Sequence, residues 1–82
     1  MRNYLINKRG LLGLSQLSVS EMIGLSRQSY QAIEAGRRQV DLKTSTITKL
    51  AHAFGVSASE LYQMEAEYQA ERAATLQAHG MK

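Results

Sequence analysis

The stretch from Leu14 to Arg38 constrains this chain more than any other part of its sequence. It holds two short segments with apolar residues at helical spacing, and each has a serine before it and a glycine after it. Serine caps the start of a helix by accepting a hydrogen bond from a free amide, and glycine readily takes the left-handed conformation that ends one. The flanking residues are Ser15, Gly24, Ser26 and Gly36. The pattern predicts a helix over 16–23, a tight turn, and a second helix over 27–35.

The second predicted helix has two chemically different sides. One side contains the apolar residues Tyr30 and Ile33. The other side consists of Arg27, Gln28, Gln31 and Ala32. Two more arginines, at positions 37 and 38, follow the closing glycine. A helix with an apolar back and a polar, basic front suits the base edges and phosphates of a DNA groove.

Short motifs within this stretch form a signature. In chain order they are LSQ at 14–16, VS at 19–20, IGLSR at 23–27 and IEAGRR at 33–38. Together with FGVS at 54–57, they make the chain resemble the lambda-repressor-like (Cro/C1, XRE) family of helix-turn-helix DNA-binding proteins. The resemblance implies an all-α fold, namely a compact five-helix lambda-repressor-like DNA-binding domain over 1–62. It leaves 63–82 as a helical C-terminal extension.

The resemblance also implies roles for individual side chains. Helix 3 (27–35) would enter the major groove, while helix 2 lies across the DNA backbone. The base-reading positions fall on Arg27, Gln28, Gln31 and Ala32. The backbone-contacting positions fall on Gln16, Ser26, Ser29, Arg37 and Arg38. Arg27 could bind O6 and N7 of guanine, and Gln28 could bind N6 and N7 of adenine. Ala32 offers only a methyl contact to thymine.

Arg9 is open to two interpretations. It could contact a DNA phosphate, or it could form a partly buried structural pair with Glu34, which stands at the matching family position near the end of helix 3. Without Arg9, Glu34 would be an unpaired carboxylate near DNA phosphates, which is unfavourable. We therefore favour the structural pair.

Helical spacing also predicts which residues form the core. The expected core-facing residues are Leu5 and Leu12 in a first helix over 3–12, Val19, Met22 and Ile23 in helix 2, and Ile47, Leu50, Ala51 and Phe54 in helix 4. Thr44 or Ser45 should cap helix 4, and Ser57 with Glu60 forms a capping box that starts helix 5.

The segment 63–82 is rich in Ala, Glu and Gln and contains no helix breaker until Gly80, so helix 5 should run on to about His79. Its thin apolar seam consists of Leu61, Met64, Tyr68 and Leu76. The seam fits either a solvated tail or a helix that packs on a partner subunit. In the second case, removing residues 64–82 should leave a folded, monomeric domain.

Charge and composition exclude several function classes. Residues 1–62 hold eight Lys and Arg against four Asp and Glu, whereas 63–82 hold two against three, so the positive charge lies in the part that resembles a DNA reader. The chain has no cysteine, and His52 and His79 lack neighbouring ligands at metal-site spacing. We find no catalytic constellation, membrane span or signal peptide. The sequence thus predicts a non-enzymatic cytoplasmic protein without metal or cofactor.

The function predicted from these features is sequence-specific DNA binding by a bacterial or phage transcriptional regulator, most simply a repressor. Its partners would be double-stranded DNA and a second copy of the chain in a homodimer. An alternative is the antitoxin of a toxin-antitoxin pair, which would bind DNA and grip a protein partner through the C-terminal helix. A third class is a protein-interaction module with a recognition helix stripped of polar groups, and this helix is not stripped.

Overall fold

The computed structural model describes residues 1–39 and 41–80, and for 76–80 it describes only the helical backbone. Over these ranges the chain is all-helical and contains no strand. The helices are α1 (Asn3–Leu12), α2 (Gln16–Ile23), α3 (Arg27–Ala35), α4 (Thr44–Phe54) and α5 (Ala58–Gly80). The predicted all-α, five-helix architecture is therefore confirmed. None of these helices is both long enough and apolar enough to cross a membrane.

The predicted caps set the boundaries of α2 and α3. Ser15 Oγ accepts a hydrogen bond from the Ser18 amide at 3.0 Å, and Ser26 Oγ accepts one from the Ser29 amide at 3.1 Å. At the other end of each helix a glycine adopts the left-handed conformation, with φ of 73° at Gly24 and 79° at Gly36. These local interactions satisfy amides and carbonyls that a helix leaves unpaired at its ends, so each boundary falls where the sequence pattern placed it.

The core collects side chains from every helix. Its fully or almost fully buried apolar members are Leu5, Val19, Ile23, Tyr30, Ile33, Ile47, Leu50, Ala51, Phe54 and Leu61. All predicted core residues of α4 are among them. Burying one Leu or Ile side chain contributes roughly 1.5–3 kcal/mol, so this cluster stabilises the packing of α3 against its neighbours.

Two core predictions were wrong. Met22 is 54% exposed because Ser20, with Val19 and Ile23, completes the buried side of α2, which turns Met22 away from the core by roughly a quarter-turn. Leu12 is 47% exposed, since it is the last residue of α1 and the buried contact of that helix is made by Leu5.

The starts of α4 and α5 differ in how well the sequence predicted them. Neither Thr44 nor Ser45 caps α4: Thr44 is already helical, and the capping position belongs to Lys43, whose side chain makes no capping bond. The Lys43 amide instead donates to Gln39 Oε1 at 3.3 Å. At α5, the Glu60 amide donates to Ser57 Oγ at 3.1 Å, which confirms that half of the capping box.

The fifth helix continues without a break through the boundary drawn between 62 and 63. Leu61 of the predicted seam is fully buried, and Met64 and Tyr68 are partly buried against the rest of the domain. Leu76 and His79 lie outside the residues whose side chains are described. The first half of the seam is thus used within the chain itself.

Candidate nucleic-acid interface

The outer side of α3 carries the predicted base-reading residues. Arg27, Gln28 and Gln31 are exposed, and Ala32 is half-buried beside them. Directly behind them, Tyr30 and Ile33 have no exposed surface. The polar side and the apolar side of this helix are therefore distinct, as the sequence indicated. Three long polar side chains project into solvent from a helix whose opposite side is buried in the core.

Hydroxyl groups and arginines border this outer side. Ser29 Oγ accepts a hydrogen bond from Arg38 Nη1 at 2.7 Å, which draws an exposed guanidinium back along α3. Ser26 Oγ lies 3.0 Å from the same hydroxyl while it caps the helix. Arg37 is also exposed. Of the predicted phosphate-contacting groups at the ends of α3, the serine cap and both arginines are thus exposed, and Ser29 is half-buried.

Gln16 has a different environment from the other predicted backbone contacts. It is half-buried, and its Nε2 donates to Glu34 Oε1 at 3.0 Å. An amide nitrogen carries two hydrogens, so the one that binds Glu34 joins α2 to α3 and the other can still be donated to a further acceptor.

Glu34 is the meeting point of three helices. Arg9 Nε donates to Glu34 Oε2 at 2.6 Å and Arg9 Nη2 donates to Oε1 at 3.2 Å, while Arg9 Nη1 binds the Leu14 carbonyl at 3.1 Å. The Glu34 side chain is only 3% exposed. Burial opposes ionisation of this carboxyl, but the hydrogen bonds from Arg9 and Gln16 outweigh it and lower its pKa below the ordinary value. Each nitrogen of the Arg9 guanidinium thus donates one hydrogen bond to the protein.

A second buried network was missed by the sequence analysis. Arg2 is fully buried, and its Nε donates to Glu65 Oε1 at 3.0 Å across 63 positions of sequence. Tyr4 and Tyr68 lie against the same pair. One signal was available: Glu65 and Tyr68 follow Leu61 at i+4 and i+7, which places both on the inward side of α5. Nothing local in the sequence identified Arg2 as their partner.

Comparison with known proteins decides the family. A helix-turn-helix family model matches residues 5–61, which is most of the chain. The chain belongs to the Cro/C1-type (XRE) helix-turn-helix family. The matched region begins at the first core residue of α1 and ends at the first core residue of α5, so it contains all the interface residues described above apart from the Arg2 network.

Two similar proteins support this helix-turn-helix assignment. The SPbeta prophage-derived uncharacterized HTH-type transcriptional regulator YonR of Bacillus subtilis is 42% identical over 45 residues, which are 55% of this chain and 40% of that protein. The crystal structure of the clp gene regulator ClgR from Corynebacterium glutamicum superposes with a TM-score of 0.69, over 94% of this chain and 80% of that one. Its sequence identity is 21%, so this likeness concerns the fold.

These findings support DNA-binding transcriptional regulation as the function of this helix-turn-helix protein. The chain spans less than half the length of the Bacillus regulator it matches. Family membership therefore supports DNA binding by this chain.

Proposed function

We propose that this chain is a sequence-specific transcriptional repressor of bacterial or phage origin that reads the DNA major groove with α3. One observation carries the proposal. Arg27 and Gln28 are exposed on the first turn of α3, directly over the buried residues Tyr30 and Ile33. In helix-turn-helix proteins this end of the recognition helix meets the base edges.

The base-reading residues divide by their chemistry. Arg27 would bind O6 and N7 of a guanine, and Gln28 would bind N6 and N7 of an adenine, each in a bidentate contact. Gln31 lies one turn further along the same side and would reach a neighbouring base. Ala32 would contribute a methyl contact to thymine. Each bidentate contact is worth about 1–3 kcal/mol of discrimination against the wrong base. Two such contacts in each half-site would therefore favour the matching sequence at two base positions.

Backbone contacts would hold α3 in register. Gln16 would use its second amide hydrogen, Ser26 and Ser29 their hydroxyls, and Arg37 and Arg38 their charges. Arg9 would have a structural role instead, because each of its three guanidinium nitrogens donates to Glu34 or to the Leu14 carbonyl, which holds α1 against α3.

The chain would bind DNA as a homodimer, with half-sites about one helical turn apart on a two-fold operator. The observation behind this step is the second half of α5, where residues 73–75 are exposed and continue a helix beyond the packed domain. A helix with such an unpacked end gains stability when it packs on a partner. A toxin-like protein in place of the second copy would give the antitoxin alternative.

Selection of bound sequences from random duplex DNA tests the proposal. We expect enrichment of a palindrome, and Arg27→Ala and Gln28→Ala should each flatten the preference at one position per half-site. Both variants should keep the wild-type melting temperature and most of the affinity for random DNA, because neither side chain is part of the core. Gln63→Ala, which removes an exposed glutamine from α5, is the matched control and should leave the preference unchanged.

An enriched but asymmetric sequence would contradict the two-fold assembly. Wild-type affinity and base preference in both α3 variants would contradict reading by α3, and with it the main support for the function.

A further inference from the structure

Arg2 makes an unusual set of contacts for a residue next to the first position of the sequence. Its side chain has no exposed surface, whereas arginine is almost never fully buried unless it is paired. Arg2 Nε and Nη2 donate to the two carboxylate oxygens of Glu65, at 3.0 and 3.1 Å. The pair therefore joins the start of the domain to α5 in a bidentate, charge-assisted contact.

The same arginine also binds the C-terminal end of α3. Arg2 Nη1 donates to the Ile33 carbonyl at 2.7 Å, and the Arg2 backbone amide donates to the Glu34 carbonyl at 2.7 Å. Carbonyls in the last turn of a helix have no partner within the helix, and a positive charge there is favourable because it faces the negative end of the helix dipole. Arg2 thus completes the end of the recognition helix from outside it.

The contacts extend beyond α3 to the segment that follows it. Arg2 Nη2 donates to the carbonyl of Gln39, directly after the exposed arginines 37 and 38. The amides of both these arginines donate to the Ala32 carbonyl, at 2.9 and 3.2 Å. The backbone that carries the two arginines is therefore held at one end by α3 and at the other by Arg2.

Residues of α1 and α5 surround this arrangement. Tyr4 Oη and Gln69 Nε2 both donate to the Glu65 carboxylate, the latter at 2.8 Å. The Tyr68 ring lies under the Arg2 guanidinium, with its centroid 5.0 Å from Cζ, a distance typical of a cation–π contact. We name Arg2, Glu65 and Tyr68 the clasp.

We propose that Arg2 and Glu65 are positioning residues for DNA binding: they fix the end of α3 and, through the Gln39 carbonyl, the backbone that presents Arg37 and Arg38 to phosphate. The proposal rests on the proposed function only where it assigns phosphate contacts to those arginines. It makes α5 part of the DNA-binding unit, because Glu65 holds Arg2 in place.

The clasp could instead serve only to stabilise the fold, and the two roles predict different properties for a variant that lacks it. If the clasp only adds to the free energy of unfolding, its loss leaves a folded variant with an unchanged interface. If it positions the backbone, a folded variant without it has a loosened segment at 36–39 and fewer phosphate contacts, while reading by the first turn of α3 is preserved.

The test uses the full chain with Arg2→Met and Glu65→Leu combined. Replacing both members of a buried ion pair with apolar residues often preserves stability, whereas removing one leaves an unpaired buried charge. Glu65→Gln serves as a single variant that keeps the side-chain shape. Glu67→Gln, an exposed carboxylate on the same helix, is the matched control.

Amide hydrogen exchange gives the readout that needs no DNA. In the double variant, exchange at Arg37 and Arg38 should rise by roughly tenfold or more relative to the Leu25 amide, which closes α2 in the same way by donating to the Ser20 carbonyl at 2.9 Å. A global loss of stability would raise all three together, so the ratio isolates the local effect. Should the double variant not fold, Glu65→Gln provides the same ratio.

Binding to a short duplex of random sequence gives the second readout. The log–log salt slope of the double variant should shrink by about one for each phosphate contact that is lost. The base preference at the positions assigned to Arg27 and Gln28 should persist in a selected duplex. The control Glu67→Gln should match the wild type in both measurements.

An unchanged exchange ratio in the folded variants would overturn the proposal, since the clasp would then not hold the segment. A raised ratio with an unchanged salt slope would also overturn it, because the held segment would not present the phosphate contacts. A wild-type chain without affinity for any duplex would instead overturn the proposed function, and the exchange ratio would separately decide whether the clasp holds the end of α3.

Discussion

At the scale of single residues, Gly36 is subject to two separate constraints. Its φ of 79° lies in the left-handed region, where a side chain is strained. A Cβ placed on it would also lie 2.6 Å from Tyr68 Oη. Gly55 has a similar φ of 68° but nothing within 4 Å of such an atom, so it carries the first constraint without the second.

Comparing alanine variants of these two glycines should separate the constraints. Gly55→Ala should lower the free energy of unfolding by about 1 kcal/mol, the usual cost of a left-handed non-glycine residue. Gly36→Ala should cost more, and Tyr68→Phe in the same chain should recover most of the difference because it removes the colliding hydroxyl. Chemical denaturation of the single and double variants measures this, and equal costs at the two glycines would show that Tyr68 does not restrict the end of α3.

At the scale of elements, α5 contributes to the core and also supplies two of the three clasp residues, Glu65 and Tyr68. Glu65 is buried on its inward side, four residues after the core residue Leu61. Residues 1–62 therefore make buried contacts with a residue of the predicted C-terminal extension. Removing residues 64–82 takes away the carboxylate partner of a buried arginine, so we expect the remaining chain to be less stable than the full chain.

Two truncations distinguish the two halves of α5. Deleting 64–82 should lower the free energy of unfolding by about 3 kcal/mol or more, because it removes the Glu65 carboxylate that pairs with Arg2 and the Tyr68 ring that covers it. Deleting 76–82 keeps every described contact of the clasp and should cost little. Denaturation midpoints measure both effects. If the chain lacking 64–82 is as stable as the chain lacking 76–82, the part of α5 after residue 63 is a separable extension.

At the scale of the whole molecule, two buried or partly buried ion pairs within the described residues join the helices at different places. Arg9 with Glu34 joins α1 to α3, and Arg2 with Glu65 joins the start of the chain to α5. In both carboxyls burial opposes ionisation, yet the hydrogen bonds from the arginines and their neighbours lower the pKa below its ordinary value of 4.5. Folding thus favours the ionised form of both groups.

The free energy of unfolding of the domain should accordingly decrease at acidic pH. The unfolded chain binds protons at Glu34 and Glu65 at a higher pH than the folded chain does, so the contribution of both pairs is complete above 4.5 and is lost as the pH falls through the folded-state values. Glu34→Gln and Glu65→Gln should each be less stable than the wild type at neutral pH and lose less stability on acidification. Glu67→Gln is the exposed control.

Urea denaturation at a series of pH values makes this measurement. An acid profile that stays the same in both buried variants would mean that neither carboxylate is held ionised by folding. A change in one variant alone would assign the acid sensitivity to that pair.

The sequence by itself determined the helix boundaries around α2 and α3 and the polar front of α3. Serine caps, left-handed glycines and apolar spacing act within a few residues, so they can be recognised without knowledge of the fold. The same local reasoning failed at Met22, where the buried side of α2 is completed by a serine that contributes little to an apolar pattern.

Only the tertiary structure decided which polar residues are buried. Arginine and glutamate are residue types that usually lie on the surface, and 63 positions separate Arg2 from Glu65. Their pairing depends on where α5 passes the start of the chain and the end of α3. That arrangement results from the packing of all five described helices on one core, and no local sequence pattern encodes it.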